Sequence, residues 1–350
     1  MSEIAQIDRN FLVETKLNLD NVRFYDIQSE PFSLYGVFYE NGLYRRMPQA
    51  VAQSVSEGVE HLHIRTAGGR VKFITNSSYV AIKAVMSHLG KMPHIPLTGS
   101  AGFDLYVGKK EEYRGTFKPP FDISDGYAGV VRFGSRKMRE ITINFPLYSA
   151  VSDLYIALEA DATLKKAPGY AEKKPIVFYG SSITQGGCAS RPGNAYTSLL
   201  ARALQMDHIN LGFSGNAKGE DAIAEYIASL DMSLFVYDYD HNAPNPEHLK
   251  NTHLKMFRII RQAQPNLPIV ILSAPAYRLD AVWKERMEIV KASYDAAMAE
   301  GDRNVYFMDG PTLMKYAKNE GTVDNCHPND LGFYSMAKTL VKSLKPILQK

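Results

Sequence analysis

Residues 175–184, Pro-Ile-Val-Phe-Tyr-Gly-Ser-Ser-Ile-Thr, are apolar at every position up to a glycine and then turn to hydroxyl side chains. A strand with one face in water alternates apolar and polar residues. A run without that alternation needs cover on both faces, as in a parallel sheet flanked by helices. The pattern recurs down the chain: HINLGF (208–213), SLFVYDYD (233–240), PIVILSAPA (268–276) and NVYFMDG (304–310) alternate with amphipathic stretches at 194–205, 220–230, 246–262, 283–300 and 330–348. Residues 174–350 are therefore expected to form a doubly wound α/β domain. Ligands in such sheets bind at the carboxyl ends of the strands, so the loops after these runs should hold the chemistry.

Upstream the period changes. Short runs rich in β-branched and aromatic residues, HLHIRTAGGRVKFITN (61–76), YVAIKAVM (79–86), YAGVVRFG (127–134) and REITINFPLYS (139–149), recur between turn signals. They predict an all-β sandwich or jelly roll over residues 1–165. EADATLKKAPGYAEKKP (159–175) shifts to small and charged residues with two prolines and reads as a linker. A chain of 350 residues suits two domains. With 45% hydrophobic and 22% charged residues the composition is that of a globular protein.

A net charge of +3 with isolated basic pairs, Lys109-Lys110, Lys165-Lys166 and Lys173-Lys174, offers no patch for nucleic acid. No run approaches the length of a membrane span. The first residues lack a signal-peptide core, so the chain as written is expected in the cytoplasm, or in the periplasm or outside the cell if a leader has been removed. Two cysteines, Cys188 and Cys326, make no disulfide framework.

The loop after the first apolar strand leaves a hydroxyl of Ser181 or Ser182 near a helix start, which suits either a nucleophile or a capping serine. Asp324-Asn325-Cys326-His327-Pro328 precedes the last helix. At an i, i+3 offset a carboxylate can hold the imidazole Nδ1 proton and leave Nε2 free to take a proton from serine. Two more strand-end loops offer donors for a developing oxyanion: Asn210-Leu211-Gly212-Phe213-Ser214-Gly215-Asn216, and Asp238-Tyr239-Asp240-His241-Asn242. Gly215 and Asn242 are also ordinary turn residues.

In this order the four blocks resemble the SGNH, or GDSL-like, hydrolase family. The resemblance implies Ser182 as nucleophile and oxyanion donor, Gly215 and Asn242 as the other oxyanion donors, and Asp324 and His327 as acid and base. It also implies a five-stranded parallel sheet sandwiched by helices. The family's GDS is here Gly180-Ser181-Ser182, and His241 stands before Asn242 where its GxND block has glycine. Gly102-Phe103-Asp104-Leu105-Tyr106 resembles the GxDLY motif of the β-rich domain that precedes a bacterial subset of these esterases. That subset implies a short-acyl, sugar-directed serine esterase. Acyl transfer to an alcohol, or glycan binding by a degenerate esterase, are the alternatives.

Arg191 and His241 are candidate substrate contacts; Arg191 serves equally as a loop-ordering ion pair. His61 and His63 alternate on an expected strand without a third metal ligand, so no metal is expected. No cofactor is expected either, since neither GxGxxG nor GxxxxGK[ST] occurs. The partner implied is a small-molecule or oligosaccharide ester; the oligomeric state is not specified.

Overall fold

The computed structural model describes residues 7, 13, 17–172 and 174–348; Lys173 and most of the first sixteen residues, read above for a leader, lie outside the described residues. The first half runs β1 (Val22–Asp26), β2 (Ser33–Tyr35), β3 (Phe38–Glu40), β4 (Leu43–Arg45), α1 (Gln49–Val55), α2 (Glu57–Leu62), β5 (Arg70–Thr75), β6 (Tyr79–Val85), α3 (Leu97–Ser100), β7 (Phe103–Val107), β8 (Glu112–Phe117), β9 (Gly126–Arg132), β10 (Arg139–Asn144), β11 (Asp153–Glu159) and β12 (Leu164–Lys165). Two larger antiparallel sheets result, β1-β11-β6-β9 and β12-β5-β10-β7-β8, with β2 beside β5, and β3 pairs with β4 as a separate hairpin. Their inward residues, among them Phe73, Ile82, Phe103, Leu105, Phe117, Ile143 and Ile156, share one core. This is the expected sandwich.

Two sequence expectations change. His61 and His63 are not on a strand: Ser56 caps α2 by accepting from the Val59 amide at 3.3 Å, so His61 lies in that helix and His63 ends it. Their rings contact Arg65 and Arg45 respectively. The stretch 159–175 is only partly a connector, because Leu164 and Lys165 pair with Thr75 and Ile74 as β12.

The second half follows as β13 (Ile176–Gly180), α4 (Ser182–Gln185), α5 (Tyr196–Leu204), β14 (His208–Gly212), α6 (Asp221–Ser229), β15 (Leu234–Asp238), α7 (Pro246–Ala263), β16 (Ile269–Leu272), α8 (Ala281–Ala299), β17 (Val305–Met308), α9 (Gly310–Leu313) and α10 (Asp330–Leu348). The five strands are parallel in the order β14-β13-β15-β16-β17. Alternate side chains cover opposite faces. Val177, Tyr179, Phe235, Tyr237, Ile269 and Ile271 pack on one side, and Ile176, Phe178, Leu234, Val236, Val270 and Leu272 on the other. Because β13 lies between β14 and β15, the chain leaves it toward one edge and later returns on its other side. The carboxyl end of β13 is therefore the topological switch point where a crevice opens.

The halves interlock. Met47, Ala52 and Val59, from the first half, sit in the core with α6 and α7, and Ala67, Ile95, Leu147 and Tyr148 sit in the core on the other face. Arg46 reaches across to donate to the carbonyls of Asn210 (3.0 Å) and Gly212 (2.6 Å), and its guanidinium lies over the Phe213 ring. No described helix is long and apolar enough to cross a membrane.

Candidate active site

Gly180 ends β13 where a Cβ would stand 2.4 Å from the carbonyl oxygen of Asp238, so only glycine lets the strand pass its neighbour here. The two serines that follow divide their work. Ser181 is the N-cap of α4, its Oγ accepting from the Ile183 amide at 3.2 Å. Ser182 is the first residue of the helix, 9% exposed, and its Oγ lies 2.9 Å from His327 Nε2. The short helix closes on Gly186 at φ 107°, with the Gly187 amide donating to the Ser182 carbonyl.

Asp324 and His327 come together on a turn rather than on a helix. The Asp324 carboxylate accepts from the backbone amides of Cys326 (3.1 Å) and His327 (2.7 Å) through Oδ1, and faces His327 Nδ1 at 2.8 Å through Oδ2. Asn325 takes a left-handed φ of 65°, and the Val323 amide donates to the His327 carbonyl, closing the loop. Partial burial opposes ionisation of Asp324. The hydrogen bonds from the His327 ring and amide win, holding the carboxyl below its ordinary range. An ionised carboxylate at Oδ2 keeps the proton on Nδ1, so the Nε2 lone pair points at the Ser182 hydroxyl. The acid remains 39% exposed and the imidazole 23%.

The groups expected as oxyanion donors lie at the start of α4 and on the loops after β14 and β15. The Ser182 amide opens a helix, where an N–H has no intrahelical acceptor. Gly215 has φ 71° and no atom within 4 Å of where a Cβ would be, so its surroundings are open. Asn242 accepts from the Ala217 amide through Oδ1 at 3.4 Å, which leaves its Nδ2 as a donor. The Gly215 loop is pinned by Gln185, whose Oε1 accepts from the Ser214 amide while its Nε2 donates to the Leu147 carbonyl of the first half.

The two candidate substrate contacts differ. Arg191 forms the loop-ordering ion pair: Nη1 is 2.8 Å from Asp104 Oδ2, bonds Tyr106, and the guanidinium lies 3.9 Å from the Tyr113 ring centroid. Asp104 and Tyr106 belong to the GxDLY-like stretch, which thus grips the loop after the Ser182 helix. His241 packs on Trp283 (4.5 Å between centroids), with its Nδ1 4.0 Å from the Cys326 sulfur. Burial, with the nearby Arg286 and His327 charges, pushes its pKa down to about 3, so it stays neutral.

Sequence reasoning gave no sign of three neighbours. His94, from the loop before α3, lies with its ring centroid 5.6 Å from that of His327. Tyr148 donates to the Ser182 carbonyl at 3.3 Å. Asp238, whose burial pushes its carboxyl up to about 7, bonds the hydroxyls of Thr184 and Tyr196 beneath the serine turn. Both cysteines are free thiols, and burial pushes Cys188 up to about 12.

A cleft of about 510 Å³ beside the acid–base turn is lined by Tyr277, Arg278, Trp283, Lys318 and Asn325 among others. A larger cavity, near 590 Å³, is lined by Ser233 and Pro268, which precede β15 and β16. It therefore opens at the amino end of the sheet, away from Ser182.

Residues 173–345 match the model of the GDSL-like lipase/acylhydrolase family, and residues 22–164 match the GxDLY model, described as the N-terminus of SGNH-hydrolase-type esterases. A protein described as a GDSL-like lipase from Bacteroides ovatus ATCC 8483 is 28% identical with a TM-score of 0.85; the match covers 94% of this chain and 98% of that one. The salicylyl-acyltransferase SsfX3 of a tetracycline biosynthetic pathway matches over the same shares at 21% identity and a TM-score of 0.76. A family two carbohydrate esterase from Cellvibrio japonicus does so at 13% and 0.64. The last two likenesses speak to the fold alone. A search of curated proteins finds no match.

Proposed function

Because residues 173–345 belong to the GDSL-like lipase and acylhydrolase family, we propose that the protein is a serine esterase with Ser182 as nucleophile, His327 as general base and Asp324 as the acid that orients it. The observation that carries this reading is the unbroken chain of two hydrogen bonds, Ser182 Oγ to His327 Nε2 at 2.9 Å and His327 Nδ1 to Asp324 Oδ2 at 2.8 Å, at the carboxyl end of β13.

In the proposed reaction Ser182 Oγ attacks the ester carbonyl and its proton passes to His327 Nε2. The oxyanion is met by the amides of Ser182 and Gly215 and by Asn242 Nδ2, each donor lowering the barrier by about 3 kcal/mol. Collapse breaks the bond to the alcohol, which leaves with the proton from His327. Water, deprotonated by the same imidazole, then frees the acid and restores the serine. The Asp324 carboxylate stabilises the imidazolium in both halves.

For the substrate we favour a short acyl ester, acetyl first, carried by a sugar. The support is the arrangement of a β-rich half ahead of the hydrolase half, shared at the level of fold with the Cellvibrio japonicus carbohydrate esterase. A fold likeness to an acyltransferase keeps transfer to an alcohol as a second reading. Release of acid from p-nitrophenyl acetate and acetylated oligosaccharides by the purified chain tests the first. Formation of a new ester when an alcohol is added, with no free acid, would replace it with the second.

A further inference from the structure

We propose that His94, Cys188 and His327 form a binding site for a thiophilic divalent cation, zinc above all, whose occupation switches the esterase off. The three side chains come from three separate parts of the chain: the loop before α3, the turn after α4, and the acid–base turn. Their ligand atoms all lie within 4.8 Å of one another. Ligands around tetrahedral zinc are about 3.5 Å apart, given bonds of about 2.0 Å to nitrogen and 2.3 Å to sulfur. The cluster therefore closes on a metal with shifts of about an ångström.

The donor set points to zinc. Two imidazoles and a thiolate match its borderline-soft character, whereas magnesium and calcium take oxygen. His327 Nδ1 is held by Asp324, so Nε2 is the nitrogen left to bind, and a carboxylate on the far side of a ligating histidine is the arrangement zinc sites use. The fourth position falls to water or to Ser182 Oγ, 2.9 Å from the same Nε2. Cys188 reaches the cluster from a strained position: it holds φ 73° between Gly187 and Ala189, a region that side-chain-bearing residues rarely occupy. Binding releases the thiol proton to solvent and puts the Nε2 lone pair on the metal, where it can no longer accept the serine proton.

Blocking of turnover rests on the proposed role of His327, but the site itself does not. The full chain, stripped with chelator, is titrated with cobalt(II) and zinc(II), reading the thiolate-to-cobalt charge-transfer band and zinc displacement of it. Hydrolysis of p-nitrophenyl acetate is followed in parallel. The wild type should bind one metal with the thiolate band and lose turnover in proportion, with recovery on adding chelator. His94→Ala and Cys188→Ser should each bind more than about a hundredfold more weakly, turn over within about twofold of wild type without metal, and resist zinc. Cys326→Ser, outside the cluster, should bind like wild type. Absence of the charge-transfer band in the wild type, or equal binding by Cys188→Ser and His94→Ala, overturns the site. One-to-one binding through these ligands with turnover intact instead overturns His327 as the base.

Discussion

Ser181 and Ser182 are neighbours with the same side chain, and the geometry of one helix start separates them. Ser181 is extended and its oxygen is spent on the Ile183 amide, while Ser182, one residue on, points at His327. Ser181→Ala should lower stability by about 1 kcal/mol, measured by denaturant unfolding, as for the loss of any N-cap. Ser182→Ala should cut kcat/KM at least about a thousandfold while leaving the unfolding midpoint almost unchanged. Asp324→Asn keeps an acceptor for the two backbone amides but loses the charge that holds the Nδ1 proton. We expect a loss of about a hundredfold or more in kcat, with KM little changed. A further residue-scale effect concerns pH. Asp238 is fully buried, and burial raises its carboxyl from the ordinary value to about 7. Its protonated form is favoured in the fold, so its contribution is complete below about pH 4, the unfolded value, and disappears as pH rises through about 7. Asp238→Asn should flatten the stability profile between those limits, and an unfolding series at pH 4, 5.5 and 7 in both proteins would reveal it. The two serines were visible in the sequence, and the family resemblance pointed to Ser182 as the nucleophile; that Ser181 caps the helix was not legible from the residues alone, because strand end and helix start are fixed by packing.

The GxDLY-like stretch belongs to the scale of elements. Asp104, on β7, is fully buried and accepts from Asn144 Nδ2 (2.7 Å), Arg191 Nη1 (2.8 Å) and the Gly193 amide (2.9 Å). One carboxylate thus ties two strands of the sandwich to the loop that follows the Ser182 helix. Asp104→Ala would leave a partly buried guanidinium and a buried amide unpaired, at a cost of about 3–5 kcal/mol by denaturant unfolding. Gly212, at the end of β14, faces the turn from the other side: a Cβ there would sit 2.2 Å from the Gln185 amide nitrogen. Most element types over residues 174–348 followed from the sequence because β13, β15 and β16 are buried at every position and the long helices carry an apolar stripe. The short helices α1 and α2 did not. Their stretch carries no strong periodicity, and Ser56, which starts α2, is one serine among several.

At the scale of the molecule, the two patterns of hydrophobicity separate the halves in the sequence but say nothing of the seam between them. That seam is made of contacts between residues far apart in the chain: Arg46 on the carbonyls ending β14 and Arg70 against Asp207 and His208, each more than 130 residues apart, and Leu147 and Tyr148 against Gln185 and Ser182, 38 and 34 residues apart. Met47, Ala52 and Val59 complete a core that the later half lacks without them. We therefore expect one cooperative thermal transition for the whole chain, and loss of esterase activity in residues 174–350 expressed alone; two separable calorimetric peaks would contradict this. His94 was illegible for the same reason, since only the docking of the halves brings it beside His327.

The acid and the base share one turn, closed by the Val323 amide on the His327 carbonyl and by the bridge between Thr322 and Pro328. Their separation is set inside seven residues and owes nothing to the length of chain on either side. Insertions or deletions before Thr322 would reshape the neighbouring cleft without changing the offset between Asp324 and His327. The shape of the cleft and the geometry of the Asp324–His327 turn can therefore change independently in this fold, and residues 314–321, several of which line the cleft, are where the first can be altered while the second is kept.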